Sequence, residues 1–181
     1  MYNLGLIGRA YSGKSSIARV FEDEFHYTRL SFATPIKKIT KYFGDDGKSK
    51  GKWRKTYIEL SLLLKRSFGD DIFLKGMERQ MMSVPGKIVV DDVRYPYEAE
   101  FLLERGFLLV YVETPKDILI QRMLDAGEDV DFLLEEEAYI DNLKDTLPIF
   151  MEVSGLKVPF TVAYDIWFAM LRKSRQELGV E

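Results

Sequence analysis

The chain has 181 residues, which at about 100–200 residues per domain makes it one domain. Its 46% hydrophobic and 30% charged residues exclude a disordered or collagen-like chain, and 26 Lys+Arg against 29 Asp+Glu give a net charge of −3, with no global sign of a nucleic-acid binder. Zero cysteines exclude a disulfide framework, thiolate metal sites and Cys nucleophiles, and His26, the one histidine, argues against a His-based metal site or relay. No apolar run approaches the ~18 residues that span a bilayer, and Met-Tyr-Asn-Leu-Gly lacks the features of a signal peptide, so a soluble, cytoplasmic protein without membrane partners is expected.

In chain order, residues 2–7 form a short apolar stretch suited to a buried strand, and 8–15 a Gly/Ser-rich turn. Residues 16–25 read as a helix with Ile17, Val20, Phe21 and Phe25 on one face. Residues 27–32 suit a second strand and 35–43 a helix with Pro35 in its first turn. Residues 45–55, with Lys48, Lys50, Lys52, Arg54 and Lys55, read as a mobile loop, followed by helices at 57–68 and 71–83. Ile88, Val89 and Val90 fit a central parallel strand ending in Asp91-Asp92. Then come a helix at 97–104 closed by Gly106, a strand at 107–112 and a helix at 116–125. Residues 126–146 are acidic, and the run Glu135–Glu137 reads as a solvated helix face. A last strand is expected at 149–153 and a last helix at 161–171, capped by Thr161. Strands alternating with helices predict a parallel sheet covered on both faces. The helical stretch 34–84 is long for a crossover and is expected to be an acceptor-binding region.

Gly8-Arg9-Ala10-Tyr11-Ser12-Gly13-Lys14-Ser15 matches G-x-x-x-x-G-K-[ST] without a mismatch. The glycines let backbone N–H groups curl toward phosphate oxygens, Lys14 reaches the β- and γ-phosphates, and Ser15 offers a hydroxyl to Mg²⁺. The helix that follows points its positive dipole end at the same anion. The motif follows an apolar strand and opens an amphipathic helix, as a P-loop requires. Residues 8–15 with Ser16 are therefore the candidate ATP contacts, in an α/β fold of the P-loop NTPase type.

A carboxylate at the end of a buried strand lies at the rim where open α/β sheets bind ligands. Asp92 is accordingly the candidate Mg²⁺ ligand beside Ser15, or an acceptor of the attacking group's proton. Arg94, two residues on, is a candidate phosphate fork.

Four stretches in order resemble the deoxynucleoside monophosphate kinases of bacteriophages, within the P-loop nucleoside monophosphate kinase group. They are the P-loop; Ser31-Phe32-Ala33-Thr34-Pro35-Ile36-Lys37-Lys38, similar to "F-A-x-P-L-K"; residues 63–71, similar to "L-L-Q-x-x-G-T-D"; and Val90-Asp91-Asp92-Val93-Arg94-Tyr95-Pro96-Tyr97-Glu98-Ala99-Glu100, similar to "D-V-R-F-P-N-E-A-E". The likeness covers most of residues 1–125. Arg66 stands where the family often has Gln, Asp70 where it has Thr and Tyr97 where it has Asn, and no clear counterpart of its "H-x-S-E" element is seen, the place of which falls at 135–141. The resemblance implies transfer of the γ-phosphoryl of ATP, with Mg²⁺, to a deoxynucleoside 5′-monophosphate, in the host cytoplasm if the protein is phage-encoded.

Phosphoryl transfer needs positioning and charge neutralisation more than covalent help. Lys14, Asp92, Arg94 and Arg122 are the catalytic candidates, Arg122 as a phosphate clamp leading into a lid at 126–147. Phe32, Lys37, Arg54, Arg66 and Arg94 are the acceptor-binding candidates. Arg9 either leans over the phosphates or points to water. Small-molecule nucleotides are the expected partners, nucleic acid is not, and a homodimer is left open. The rival readings are a P-loop kinase for another small acceptor, such as dephospho-coenzyme A or a phosphorylated metabolite, and a nucleotide switch or ATPase.

Overall fold

The computed structural model describes residues 2–47 and 50–179. Among these, five strands form one parallel sheet in the order β2-β3-β1-β4-β5. They are β1 (Asn3–Ile7), β2 (Thr28–Leu30), β3 (Ile88–Val93), β4 (Phe107–Glu113) and β5 (Ile149–Ser154). The helices are α1 (Lys14–Phe25), α2 (Thr34–Tyr42), α3 (Lys50–Phe68), α4 (Ile72–Met82), α5 (Pro96–Leu103), α6 (Lys116–Asp125), α7 (Val130–Glu136), α8 (Leu143–Thr146) and α9 (Pro159–Leu178), with a 3₁₀ turn at Ala138–Asn142. The expected parallel sheet with helices on both faces is borne out.

Strand side chains alternate between faces, and this builds two cores. Leu4, Leu6, Val89, Val110 and Val112 point at α1 and α9, where Ile17, Phe21, Ala163, Ile166 and Met170 meet them. Ile7, Val90, Leu109 and Tyr111 point the other way, against Ile36 of α2, Phe73 and Met77 of α4, Leu102 of α5 and Leu143 of α8. A third, small cluster of Ala10, Leu119, Met123 and Leu133 ties the P-loop to α6 and α7. The carboxyl ends of the strands therefore meet the start of α1, the helical stretch α2–α4 and the acidic segment at one rim.

Two boundaries differ most from the sequence reading. The loop expected at 45–55 is helical from Lys50, while Lys48 lies outside the described residues. Tertiary contact stabilises this turn despite its poor Lys-Gly-Lys propensity. Gly51 lies so close to the 126–127 turn that a Cβ there would fall 2.9 Å from the Gly127 carbonyl oxygen, and Arg54 pairs with Glu128. The last helix starts at Pro159 rather than at Thr161 and runs to Leu178. Proline suits the first turn because its missing N–H has no intrahelical partner to lose. Among the described residues, no helix is long and apolar enough to cross a membrane.

Candidate active site

The loop between β1 and α1 has the curled backbone that its sequence predicts. Gly8 has φ +147°, and a Cβ there would lie 2.6 Å from the Val112 carbonyl oxygen, so only glycine fits. Tyr11 has φ +65°, a left-handed conformation that a bulky residue adopts only when its surroundings hold it. Two contacts hold it: Arg122 Nη1 donates to the Tyr11 carbonyl at 2.9 Å, and the Tyr11 hydroxyl donates to Glu128 Oε1 at 2.6 Å. At the start of α1, Lys14 is buried, with its Nζ donating to the Gly8 and Arg9 carbonyls at 2.6 Å each and reaching Ser12 Oγ at 3.3 Å. Burial first, and repulsion from Arg94 second, lower its pKa to about 8, against the pull of Glu137, Asp91 and Asp92. Ser16 N–H donates to the Gly13 carbonyl at 3.0 Å, which starts the helix.

Ser15 meets a carboxylate, and it is Asp91. The Ser15 hydroxyl donates to Asp91 Oδ2 at 2.7 Å, and Arg29 Nη2 of β2 donates to the same oxygen at 2.5 Å. Asp92, expected in this place, caps the N-terminal end of α2 instead. It accepts from Ser31 Oγ at 2.5 Å and from the Phe32 and Ala33 N–H groups at 3.0 Å each. The pleat explains the difference: Asp91 shares the face of Val89, which packs toward α1, and Asp92 falls on the opposite face. Burial pushes the Asp91 carboxyl up, but Arg29 and the Ser15 hydroxyl outweigh it and hold it below its ordinary value.

Asp91 Oδ1 is buried without a hydrogen-bond partner. An orphaned carboxylate oxygen next to the P-loop serine fits Mg²⁺, which takes one or two protein oxygens and draws its other ligands from phosphates and water. Among the described residues, no group of three or more His, Cys, Asp or Glu side chains could hold a metal ion.

Other predicted residues take varied places. Arg94 Nη1 lies 3.1 Å from Glu137 Oε1, while its backbone N–H donates to Glu98 Oε2 at 2.8 Å. Burial first, and Asp92 second, raise Glu98 to about 7. Arg54 forks onto Glu128 with two contacts of 2.8 Å. Arg9 forks onto Asp141 at 2.8 and 2.7 Å. Arg122, expected to clamp phosphate, braces the P-loop from behind: besides Tyr11 it donates to the Gly155 carbonyl at 3.1 Å. Lys37 Nζ donates to Ser31 Oγ at 2.9 Å. Phe32, expected to stack on a base, is 3% exposed and packs edge-on against Phe101 in the core. Arg66 is exposed on α3 and is not brought into this constellation.

The sequence reading missed Arg29, Glu128, Asp141 and Gly155. The β5–α9 turn approaches the P-loop so closely that a Cβ on Gly155 would fall 2.0 Å from the Ser12 carbonyl oxygen. Beside this contact lies a cavity of about 550 Å³, walled by Arg9, Ser12, Thr114, Pro115, Leu119 and Leu156.

No protein-family model matches the chain, and no curated protein matches it. Solved structures do. A gluconokinase from Sinorhizobium meliloti 1021 superposes with a TM-score of 0.63 over 98% of this chain and 95% of its own, at 13% identity. A shikimate kinase from Acinetobacter baumannii, in complex with shikimate, gives 0.58 over 96% and 94%, at 16% identity. Shikimate kinase from Aquifex aeolicus gives 0.56 over 95% and 98%, at 16% identity. At these identities the likeness carries the fold and does not single out the bacteriophage family that the motifs resemble. The chain has the α/β fold of the small-molecule P-loop kinases related to shikimate kinases and gluconokinases.

Proposed function

We propose that this chain is a P-loop kinase that transfers the γ-phosphoryl group of ATP to a small anionic acceptor. The observation that carries this reading is the juxtaposition of the curled loop, its buried Lys14, and the Ser15–Asp91 pair across one short gap. The backbone N–H groups of the loop and Lys14 bind the triphosphate and neutralise charge as it shifts toward the leaving oxygen. Ser15 and Asp91 would hold Mg²⁺, which supplies further positive charge at the β- and γ-phosphates. Arg29 keeps the Asp91 carboxylate ionised and oriented. Arg122 holds the loop in its left-handed turn, a positioning role. The cavity beside Ser12 and Gly155 has the size for the nucleoside end of ATP, with Val112, Pro115, Leu119 and Leu156 among its walls and Lys116, Lys144, Glu113 and Glu152 as polar partners. Arg94, whose side chain is 38% exposed, is the cation offered to an anionic acceptor on the helical side, while Arg54 is held by Glu128.

Two acceptor classes have support. The structural likenesses are to kinases named for gluconate and shikimate, which favours a small phosphorylated or carboxylated metabolite. The stretch Asp92-Val93-Arg94-Tyr95-Pro96 resembles the phage motif and favours a deoxynucleoside monophosphate. Measuring ADP release with MgATP alone and with a panel of sugar acids, phosphorylated metabolites, dephospho-coenzyme A and the four dNMPs tests the proposal. A kinase is nearly silent until one acceptor is added. Vigorous, acceptor-independent ADP release would instead mark a switch or ATPase.

A further inference from the structure

The acidic segment 126–147 keeps Asp129, Asp131, Glu135 and Asp145 exposed to water, but it buries Glu128 and Glu137. Three of its carboxylates engage three consecutive residues of the P-loop. Asp141 forks onto Arg9, Glu137 Oε2 accepts the Ala10 N–H at 2.5 Å, and Glu128 accepts from the Tyr11 hydroxyl. Glu137 differs from the other two because its partner is a loop backbone amide, the kind of group that P-loops aim at phosphate. Its side chain is 4% exposed. Its second oxygen, Oε1, is buried without a hydrogen-bond partner, although Arg94 Nη1 lies 3.1 Å away as a charge neighbour. Lys14, the other cation of the loop, lies near enough for its charge to respond to Glu137. An inward amide and an arginine on one carboxylate, with the loop lysine's charge nearby, are the partners that a phosphate group would take.

We infer that Glu137 is an internal stand-in for a nucleotide phosphate: its carboxylate occupies the anion position of the P-loop, and a polyphosphate must displace it to bind. This rests on the nucleotide reading of the P-loop and deepens it by assigning control of nucleotide affinity to one residue of the acidic segment. The two anions share one set of donors, so they exclude each other. Apparent affinity is reduced by the fraction of molecules in which Glu137 holds the site. The same contact adds Glu137 to Asp91 and Asp92 as a counter-charge between Lys14 and Arg94.

The test is calorimetric titration of MgATP, and separately of inorganic tripolyphosphate, into the wild type, Glu137→Gln, Glu137→Asp and Asp145→Asn. Gln keeps the shape without the charge. Asp keeps the charge but shortens its reach toward the Ala10 amide. Asp145, exposed on α8, is the control for general charge. Both Glu137 variants are expected to bind each ligand about tenfold more tightly or better, while Asp145→Asn matches the wild type. A gain shared by tripolyphosphate assigns the effect to the phosphates rather than the base. Unchanged or weaker binding by a folded Glu137→Gln or Glu137→Asp would overturn the inference while leaving the P-loop reading intact. Failure of the wild type and every variant to bind either ligand would overturn the nucleotide reading itself, and this inference with it.

Discussion

Replacing Asp91 with Asn separates the role of this carboxylate from that of its neighbour. The carboxylate is 4% exposed and holds both the Ser15 hydroxyl and the Arg29 guanidinium. Removing one partner of a buried ion pair costs about 3–5 kcal/mol. Arg29 is 26% exposed and has Glu22 at 3.8 Å, so part of its charge is solvated and part re-paired. About 2 kcal/mol is the reasonable loss, which at about 2–4 °C per kcal/mol lowers Tm by roughly 4–8 °C. The sign of the pH dependence follows from the lowered pKa. The Asp91 contribution is fully present above the ordinary carboxylate range near ~4 and is lost as pH falls through the lower folded value. Wild type and variant therefore converge in stability in acid. Turnover with an accepted substrate falls by roughly two decades, with an altered Mg²⁺ dependence. Asp92→Asn loses part of the α2 cap, costs about 1 kcal/mol and keeps turnover within a few-fold of wild type. Thermal unfolding and steady-state kinetics at several Mg²⁺ concentrations read both effects. The reverse pattern, with Asp92→Asn inactive and Asp91→Asn active, would refute the assignment of Asp91 to the Ser15 side.

Two further outcomes follow from the geometry. Arg54 and Glu128 are 14% and 1% exposed, so Arg54→Met removes the cation from a buried carboxylate that keeps the Tyr11 hydroxyl, and costs about 3 kcal/mol in urea unfolding, while adding Glu128→Gln recovers more than half; a double variant as unstable as the sum of two independent losses contradicts this. Lys14, lowered to about 8 by burial, regains its proton beside a polyphosphate, so MgATP binding takes up close to one proton at about pH 9 and almost none at about pH 6.5; calorimetry in buffers of different ionisation enthalpy measures this, and equal uptake at the two pH values argues against it.

Local chemistry made much of this site readable from the residues. The P-loop announces itself because its glycines, lysine and serine each answer one need of a bound phosphate. The sheet follows from β-branched runs such as Ile88-Val89-Val90. Parity within the strand puts Asp91 and Asp92 on opposite faces, but Ile88-Val89-Val90 is apolar throughout and does not tell which of them faces α1. The contacts of the acidic segment were not legible. Nothing in the composition of Glu135-Glu136-Glu137 tells which carboxylate turns inward. That depends on where the 3₁₀ turn at Ala138–Asn142 carries the chain and on which loop amide stands opposite. Arg122 illustrates the same limit, because a helix-end arginine reaches phosphate or a backbone carbonyl according to where the β5–α9 turn comes to rest.

The most direct test of the account is the stoichiometry of the reaction with the acceptor found active in the panel. ADP and phosphorylated acceptor are measured together, by chromatography of the nucleotide and mass spectrometry of the product. A P-loop kinase gives one phosphorylated acceptor per ADP, and Lys14→Ala, still folded, loses roughly two or more decades of that turnover. ADP appearing with free phosphate and no phosphorylated acceptor, or a folded Lys14→Ala with wild-type turnover, would contradict the account.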